Sequence, residues 1–251
     1  MNQLPETLGL RKFKTLGTLR GLGLAIVIAI VLAIQWPARA AVSAASQDDQ
    51  VCDPLADYFL GMEDYPEAIR RHLQVIKEHP DNALAHYHLG FAYGLMGEHK
   101  KEFQQYQQAI ELGLDDWQLF LNLGLLYLET RNLHAAMQVL RLATLLGPDR
   151  PETHFNLGIA YQRLGMLDQA KQEVLLSIEL DPNQLDARNT LGTIYAEEGK
   201  YRLAHEEWAS LEQSDPGYAP ARENLAILEQ VVREHAKKTL IDQRRTVERA
   251  P

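Results

Sequence analysis

The chain has 251 residues, 46% of them apolar, which is ample for a packed core. Its formal net charge is −9, and the imbalance is steeper past the first forty residues. Those forty hold five basic residues (Arg11, Lys12, Lys14, Arg20, Arg39) and one acidic residue (Glu6), leaving 20 basic against 33 acidic side chains, net −13. Such a surface repels nucleic acid and anionic lipid headgroups at long range, so nucleic acid is excluded as a partner.

From the N-terminus, the basic residues of positions 11 to 20 precede an uncharged apolar run from Gly21 to Ile34, and then comes Trp36-Pro37-Ala38-Arg39-Ala40-Ala41. This is the three-part layout of a secretory signal. Fourteen helical residues reach about 21 Å, short of the roughly 30 Å hydrocarbon core, which favours cleavage after Ala40. The long polar leader, with Trp36 at the interface, leaves an uncleaved transmembrane signal anchor as the alternative. Residues 1–40 are therefore expected to export the rest of the chain to the periplasm or another extracytoplasmic space. Membrane contact is expected only through them, if they are retained. Residues 41–48 read as a linker. Cys52 is the single cysteine, so no internal disulfide can form, and no Leu-x-x-Cys pattern precedes it, which argues against a lipoprotein.

Beyond the linker the chain repeats. Leu89-Gly90, Leu123-Gly124, Leu157-Gly158 and Leu191-Gly192 recur every 34 residues, each followed three residues on by Tyr93, Tyr127, Tyr161 or Tyr195. Gly97, Gly165 and Gly199 stand four further on, Ala136, Ala170 and Ala204 nine after the tyrosines, and Pro80, Pro148, Pro182 and Pro216 close their units. The register gives five units: 49–82, 83–116, 117–150, 151–184 and 185–218. These residues resemble the tetratricopeptide repeat family over about two thirds of the chain. The resemblance implies an all-α fold, a right-handed superhelical solenoid of stacked antiparallel helix pairs.

Helical periodicity puts positions 4, 7, 8 and 11 of each unit on one face, so that His154, Leu157, Gly158 and Tyr161 point toward the second helix of their pair. Ala170 offers a flat surface there, and Val174 and Leu180 fill the space between units. The departures are Ala56 for glycine, Glu63 and Arg131 for the turn glycine, His72 at a bulky apolar position, and Glu102 where the family prefers alanine. A carboxylate at 102 must snorkel out or widen the helix pair. After Tyr218, Arg222, Leu225 and Ala226 occupy the first three face positions of a further helix. Residues 219–251 read as a capping helix to about 245, with a fraying tail.

The first helices are expected to line the concave side. Position 6 holds His88, Asn122, Asn156, Thr190 and Asn224. Positions 5 and 9 hold Tyr87 and Phe91, Leu121 and Leu125, Phe155 and Ile159, then Asn189 and Thr193. An asparagine before Leu-Gly resembles the ladder of O-linked N-acetylglucosamine transferases, in which amides match the N–H and C=O groups of an extended peptide. Asn122 and Asn156 can equally bond neighbouring side chains or water. The basic clamp of chaperone-tail-binding relatives is absent.

No phosphate loop, nucleophile elbow or His-Glu-x-x-His helix is present, so no catalysis, cofactor or metal is expected. His86 and His88 face different directions on one helix. The sequence reading is a non-enzymatic scaffold of the cell envelope that binds extended segments or helices of other proteins. The alternative is an adaptor subunit of an envelope assembly machine, serving cytochrome c maturation, outer-membrane or pilus biogenesis. Fused at its C-terminus to a reporter active only outside the cytoplasm, the chain should give signal. Activity of a cytoplasm-restricted reporter instead would overturn export, and N-terminal sequencing of the product separates a start at Ala41 from an intact anchor.

Overall fold

The computed structural model describes residues 53–248, so the leader, the linker, the first four residues of the first unit, Cys52 and residues 249–251 lie outside the described region. Among the described residues there are eleven helices and no strand. They follow in pairs: α1 (Pro54–Gly61) with α2 (Tyr65–Glu78), α3 (Ala83–Leu95) with α4 (His99–Glu111), and α5 (Trp117–Glu129) with α6 (Leu133–Leu146). Next come α7 (Pro151–Arg163) with α8 (Leu167–Leu180), α9 (Leu185–Glu197) with α10 (Tyr201–Ser214), and finally α11 (Ala219–Glu248). From α3 onward each first helix starts 34 residues after the last, at 83, 117, 151, 185 and 219.

Several helix starts are fixed by short polar side chains that satisfy the orphan N–H groups of a first turn. Asp53 accepts from Leu55 N at 2.9 Å, Asn82 from Ala85 N at 2.9 Å and Asp116 from Gln118 N at 2.7 Å. In α7 the cap is replaced by Pro151 at the first position, which has no N–H to satisfy. Within each pair the turn residue lies in the left-handed region, with φ near +71° to +75° at Gly97, Gly165 and Gly199. Glu63 and Arg131 adopt the same region at +60° and +59°. The pairing geometry therefore imposes the turn even where a side chain opposes it, at a cost of about 1–2 kcal/mol each.

Two faces of the first helices α3, α5, α7 and α9 are buried. Positions 7 and 8 meet the second helix of the same pair: Leu89, Leu123, Leu157 and Leu191 are buried, and the glycine that follows each receives a side chain sixteen residues on. A Cβ at Gly90, Gly124, Gly158 or Gly192 would come within 2.7, 2.5, 2.6 or 2.5 Å of Tyr106, Leu140, Val174 or Trp208. Positions 3 and 10 form the other face: Ala85, Leu119, Thr153, Ala187 and Ala221, with Ala92, Leu126, Ala160, Ile194 and Leu228, are all buried. This second face packs on the preceding unit. Ala187, Leu191 and Ile194 of α9 cluster with Ala170 and Val174 of α8, and Ala221 and Leu228 of α11 cluster with Ala204, Trp208 and Leu211 of α10.

That second face corrects the reading of the cap. Arg222 and Ala226 are exposed, because α11 runs on as one helix to Glu248 rather than turning back into a second helix that would cover them. Ala221 and Leu228 seal the last pair instead, and α11 runs on to Glu248, past the expected end. Leu180 is likewise exposed rather than packed between units. Glu102 neither snorkels nor splays the pair: it is buried, and Gly94 on the facing helix makes room, since a Cβ there would lie 2.7 Å from the carboxylate. Burial raises the Glu102 pKa, with the His99 ring 3.3 Å away opposing the shift.

Gly158 faces Val174 Cγ2 and, at 3.3 Å, the backbone oxygen of Ala170, so an added side chain cannot be absorbed by one flexible rotamer. Gly158→Leu should destabilise by about 1–3 kcal/mol through overpacking. In a stack whose units contact only their neighbours, hydrogen exchange should quicken in α5 to α10 as well. Unchanged protection there would contradict the packing just described.

Candidate functional site

Successive first helices also touch one another, α3 with α5, α5 with α7, α7 with α9 and α9 with α11. Their shared side carries positions 5, 6, 9, 12 and 13. Hydrogen bonds cross it at a spacing of 35 residues. Asn122 Nδ2 donates to the Tyr87 hydroxyl oxygen at 3.0 Å, and Asn224 Nδ2 to Asn189 Oδ1 at 2.9 Å. Both run from position 6 back to position 5 of the preceding unit. Lower on the same helices, Gln162 Nε2 donates to Glu197 Oε1 at 3.0 Å and Arg163 to the Leu128 carbonyl at 3.1 Å.

This rule sorts the asparagines. Asn122 and Asn224 have a polar residue at the facing position 5 and bond to it. Asn156 faces Leu121, which offers no acceptor, and its Nδ2 turns back to the Glu152 carbonyl of its own helix at 2.8 Å. Thr190 follows Phe155 in the same way and is buried. Leu121 is also buried, at 9% exposure. These two residues therefore contribute little accessible surface to the side on which they were expected to line a groove. Asn189 is tied at both ends, since its carbonyl accepts from Trp208 Nε1 at 3.1 Å and from Thr193 Oγ1 at 3.1 Å.

The most exposed of the expected lining residues are apolar. Phe91 and Leu125 are 37% and 39% exposed. Tyr87, Phe155 and Ile159 are half-buried, and Phe155 packs against the cluster of Ala170, Val174 and Leu191. Burial pushes the Tyr87 phenol up to about 12, with nearby Asp116 adding to the shift, so it remains protonated through the physiological range. His88 is half-buried and its Nδ1 lies 2.9 Å from Asp57 Oδ1, an ion pair whenever the ring is protonated. Desolvation lowers the His88 pKa, and Asp57 opposes that. His86 is buried between Gln105 Oε1 at 2.7 Å and the Pro80 carbonyl at 3.2 Å, and His154 between Glu173 at 2.8 Å and the Pro148 carbonyl at 3.1 Å. Each of these rings pins its first helix to the preceding loop and to the second helix.

A second apolar surface was not expected. Leu145 and Leu146 on α6 and Leu175, Leu176 and Leu180 on α8 are exposed, Leu145 at 76%.

Models of the tetratricopeptide repeat match residues 104–151 and 151–184, and a further TPR repeat model matches residues 59–97. The chain carries tetratricopeptide repeats. Solved structures agree on the repeat fold. YrrB, described as a TPR protein with an unusual peptide-binding site, is 21% identical with a TM-score of 0.61, covering 78% of this chain and 97% of YrrB. PilF of Pseudomonas aeruginosa is 20% identical with a TM-score of 0.61, covering 78% of this chain and 95% of PilF. MamA from residue 41, of Desulfovibrio magneticus RS-1, is 16% identical with a TM-score of 0.62, covering 66% of this chain and 93% of MamA. No curated protein matches the sequence significantly. Among the described residues of this tetratricopeptide solenoid, no helix is long and apolar enough to cross a membrane.

The bond between Asn122 and Tyr87 makes a structural claim about a residue first read as a ligand contact. Tyr87→Phe and Asn122→Ala should each cost about 0.5–1.5 kcal/mol, the range for a single hydrogen bond. The double variant should cost clearly less than the sum. Additive losses in urea denaturation would show that the two side chains do not act as a pair.

Proposed function

We propose that this chain is a non-enzymatic interaction scaffold of the cell envelope, exported by residues 1–40. Its five repeats (49–82, 83–116, 117–150, 151–184, 185–218) hold extended segments of partner proteins along the side formed by their first helices. The observation that carries this reading is the run of accessible apolar side chains, Phe91, Leu125 and Ile159, one per successive first helix. Asn156 stands between the last two, its donor spent on its own backbone rather than on a neighbouring unit. Such a strip offers spaced apolar anchors for side chains and an amide for the peptide backbone.

The description of YrrB places a peptide-binding site on the same kind of solenoid, although 21% identity carries the fold alone. The chemistry of this chain's own strip therefore bears the argument. An acidic surface disfavours acidic segments and nucleic acid, and leaves neutral or basic polypeptide as the occupant.

The test is a titration of a peptide from a partner crosslinked in intact cells. Phe91→Ala with Leu125→Ala should weaken binding by more than about 1 kcal/mol, as loss of apolar anchors does. Asn156→Ala should cost about 0.5–1.5 kcal/mol. Gln169→Ala with Gln172→Ala, exposed on α8, should change little. Undiminished affinity in both strip variants, with circular dichroism unchanged, would move the search to the exposed leucines of α6 and α8.

A further inference from the structure

The first helix pair departs from the others at the contact on which pairing depends. In the later pairs the glycine at position 8 faces Tyr106, Leu140, Val174 or Trp208, sixteen residues on. In the first pair that place is taken by Ala56, fully buried, and the residue sixteen further on is His72, 1% exposed. A polar atom is tolerable there only with a partner. Trp208, at the equivalent place, donates its Nε1–H to the Asn189 carbonyl. Nε2 of His72 is buried and has no hydrogen-bond partner, and it is the one such side-chain atom among the described residues.

The surroundings are those of a metal ligand. Asp57 comes from α1, His72 from α2 and His88 from α3, and one ligand atom from each lies within 4.8 Å of the other two. The His72 and His88 rings meet edge to face, centroids 5.5 Å apart. Asp57 is exposed and His88 half-buried, which leaves a way in from solvent.

We infer that Asp57, His72 and His88 bind one divalent transition-metal ion of the zinc class, each of three helices giving one donor. Two imidazoles and a carboxylate suit zinc, whose three protein ligands leave a fourth position for water. Donors on a tetrahedral zinc at about 2.0–2.1 Å stand roughly 3.3 Å from one another, so the three side chains need close only by a rotamer-scale movement. The ion ties α1, eight residues long, to α2 and α3. It does for this pair what glycine and an apolar side chain do for the later ones. His88 stands one turn before Phe91 on α3, so the site adjoins the end of the peptide-binding strip, but neither reading rests on the other.

The experiment uses the full chain, stripped with a chelator, and zinc ions alone titrated against a chromophoric competitor. Thermal unfolding is followed at each zinc concentration. One equivalent should bind, and the Tm should rise with zinc but not with magnesium, which prefers oxygen ligands. His72→Leu, which restores an apolar residue at this place, should fold with a zinc-free Tm at or above that of the parent and lose the zinc response. His88→Ala and Asp57→Asn, at more accessible positions, should weaken zinc binding by about 10-fold or more. A parent chain with no zinc-dependent Tm would overturn the site. So would undiminished one-equivalent binding in His72→Leu or in His88→Ala, which would assign the zinc to other histidines.

Discussion

Everything in this solenoid depends on how closely two helices of a pair approach. The missing Cβ of Gly90, Gly124, Gly158 and Gly192 creates a hole, and the side chain sixteen residues later fills it. The filler varies from Val174 to Trp208 without a change of design, because the neighbouring leucine and the small residues of the facing helix are already buried around it. Once the pair is fixed at this distance, its outer flank presents a surface on which positions 3 and 10 of the next first helix can sit. A single pair has nothing to cover that flank, so stability accumulates only along the stack. The strained turns at Glu63 and Arg131 belong to the same constraint, since helix packing holds a backbone conformation that the side chain disfavours.

Polar groups then decide how units are joined along their first-helix side. At two junctions where positions 6 and 5 of adjacent units are both polar, they bond, Asn122 with Tyr87 and Asn224 with Asn189. Where position 5 is apolar, the amide retreats to its own helix and the surface stays accessible, as at Asn156. The middle of the stack is consequently the part with its apolar strip open and its amide uncommitted to a neighbour. Binding capacity and inter-unit bonding draw on the same positions, and the alternation of Tyr, Leu, Phe and Asn at position 5 partitions them.

The two ends of the stack solve different problems. At the C-terminal end, α11 supplies Ala221 and Leu228 to close the last pair, and leaves Arg222 and Ala226 exposed because it runs on as one helix to Glu248 instead of turning back over them. At the N-terminal end, α1 is short, and the contact between helices holds an alanine and an imidazole instead of a glycine and an apolar side chain. An imidazole nitrogen buried there without a hydrogen bond, as Nε2 of His72 is, is costly unless it is used, and Asp57 and His88 stand beside it.

The 34-residue recurrence of Leu-Gly and tyrosine was enough to establish helix pairs, their register and the face that joins them, because those features depend on local periodicity and on residue size. The strip of Phe91, Leu125 and Ile159 was legible for the same reason, as one helical face read unit by unit. Sequence could not decide which asparagines were committed, since that depends on what stands 35 residues away across a helix boundary. Nor could it foresee that Leu121 and Thr190 would be covered, that Glu102 would find its room at Gly94, or that the cap would seal with positions 3 and 10. His72 read only as an irregular residue in a degenerate unit. Its meaning came from the convergence of three helices, which places Asp57 and His88 against it across gaps of 15 and 16 residues that no linear motif encodes.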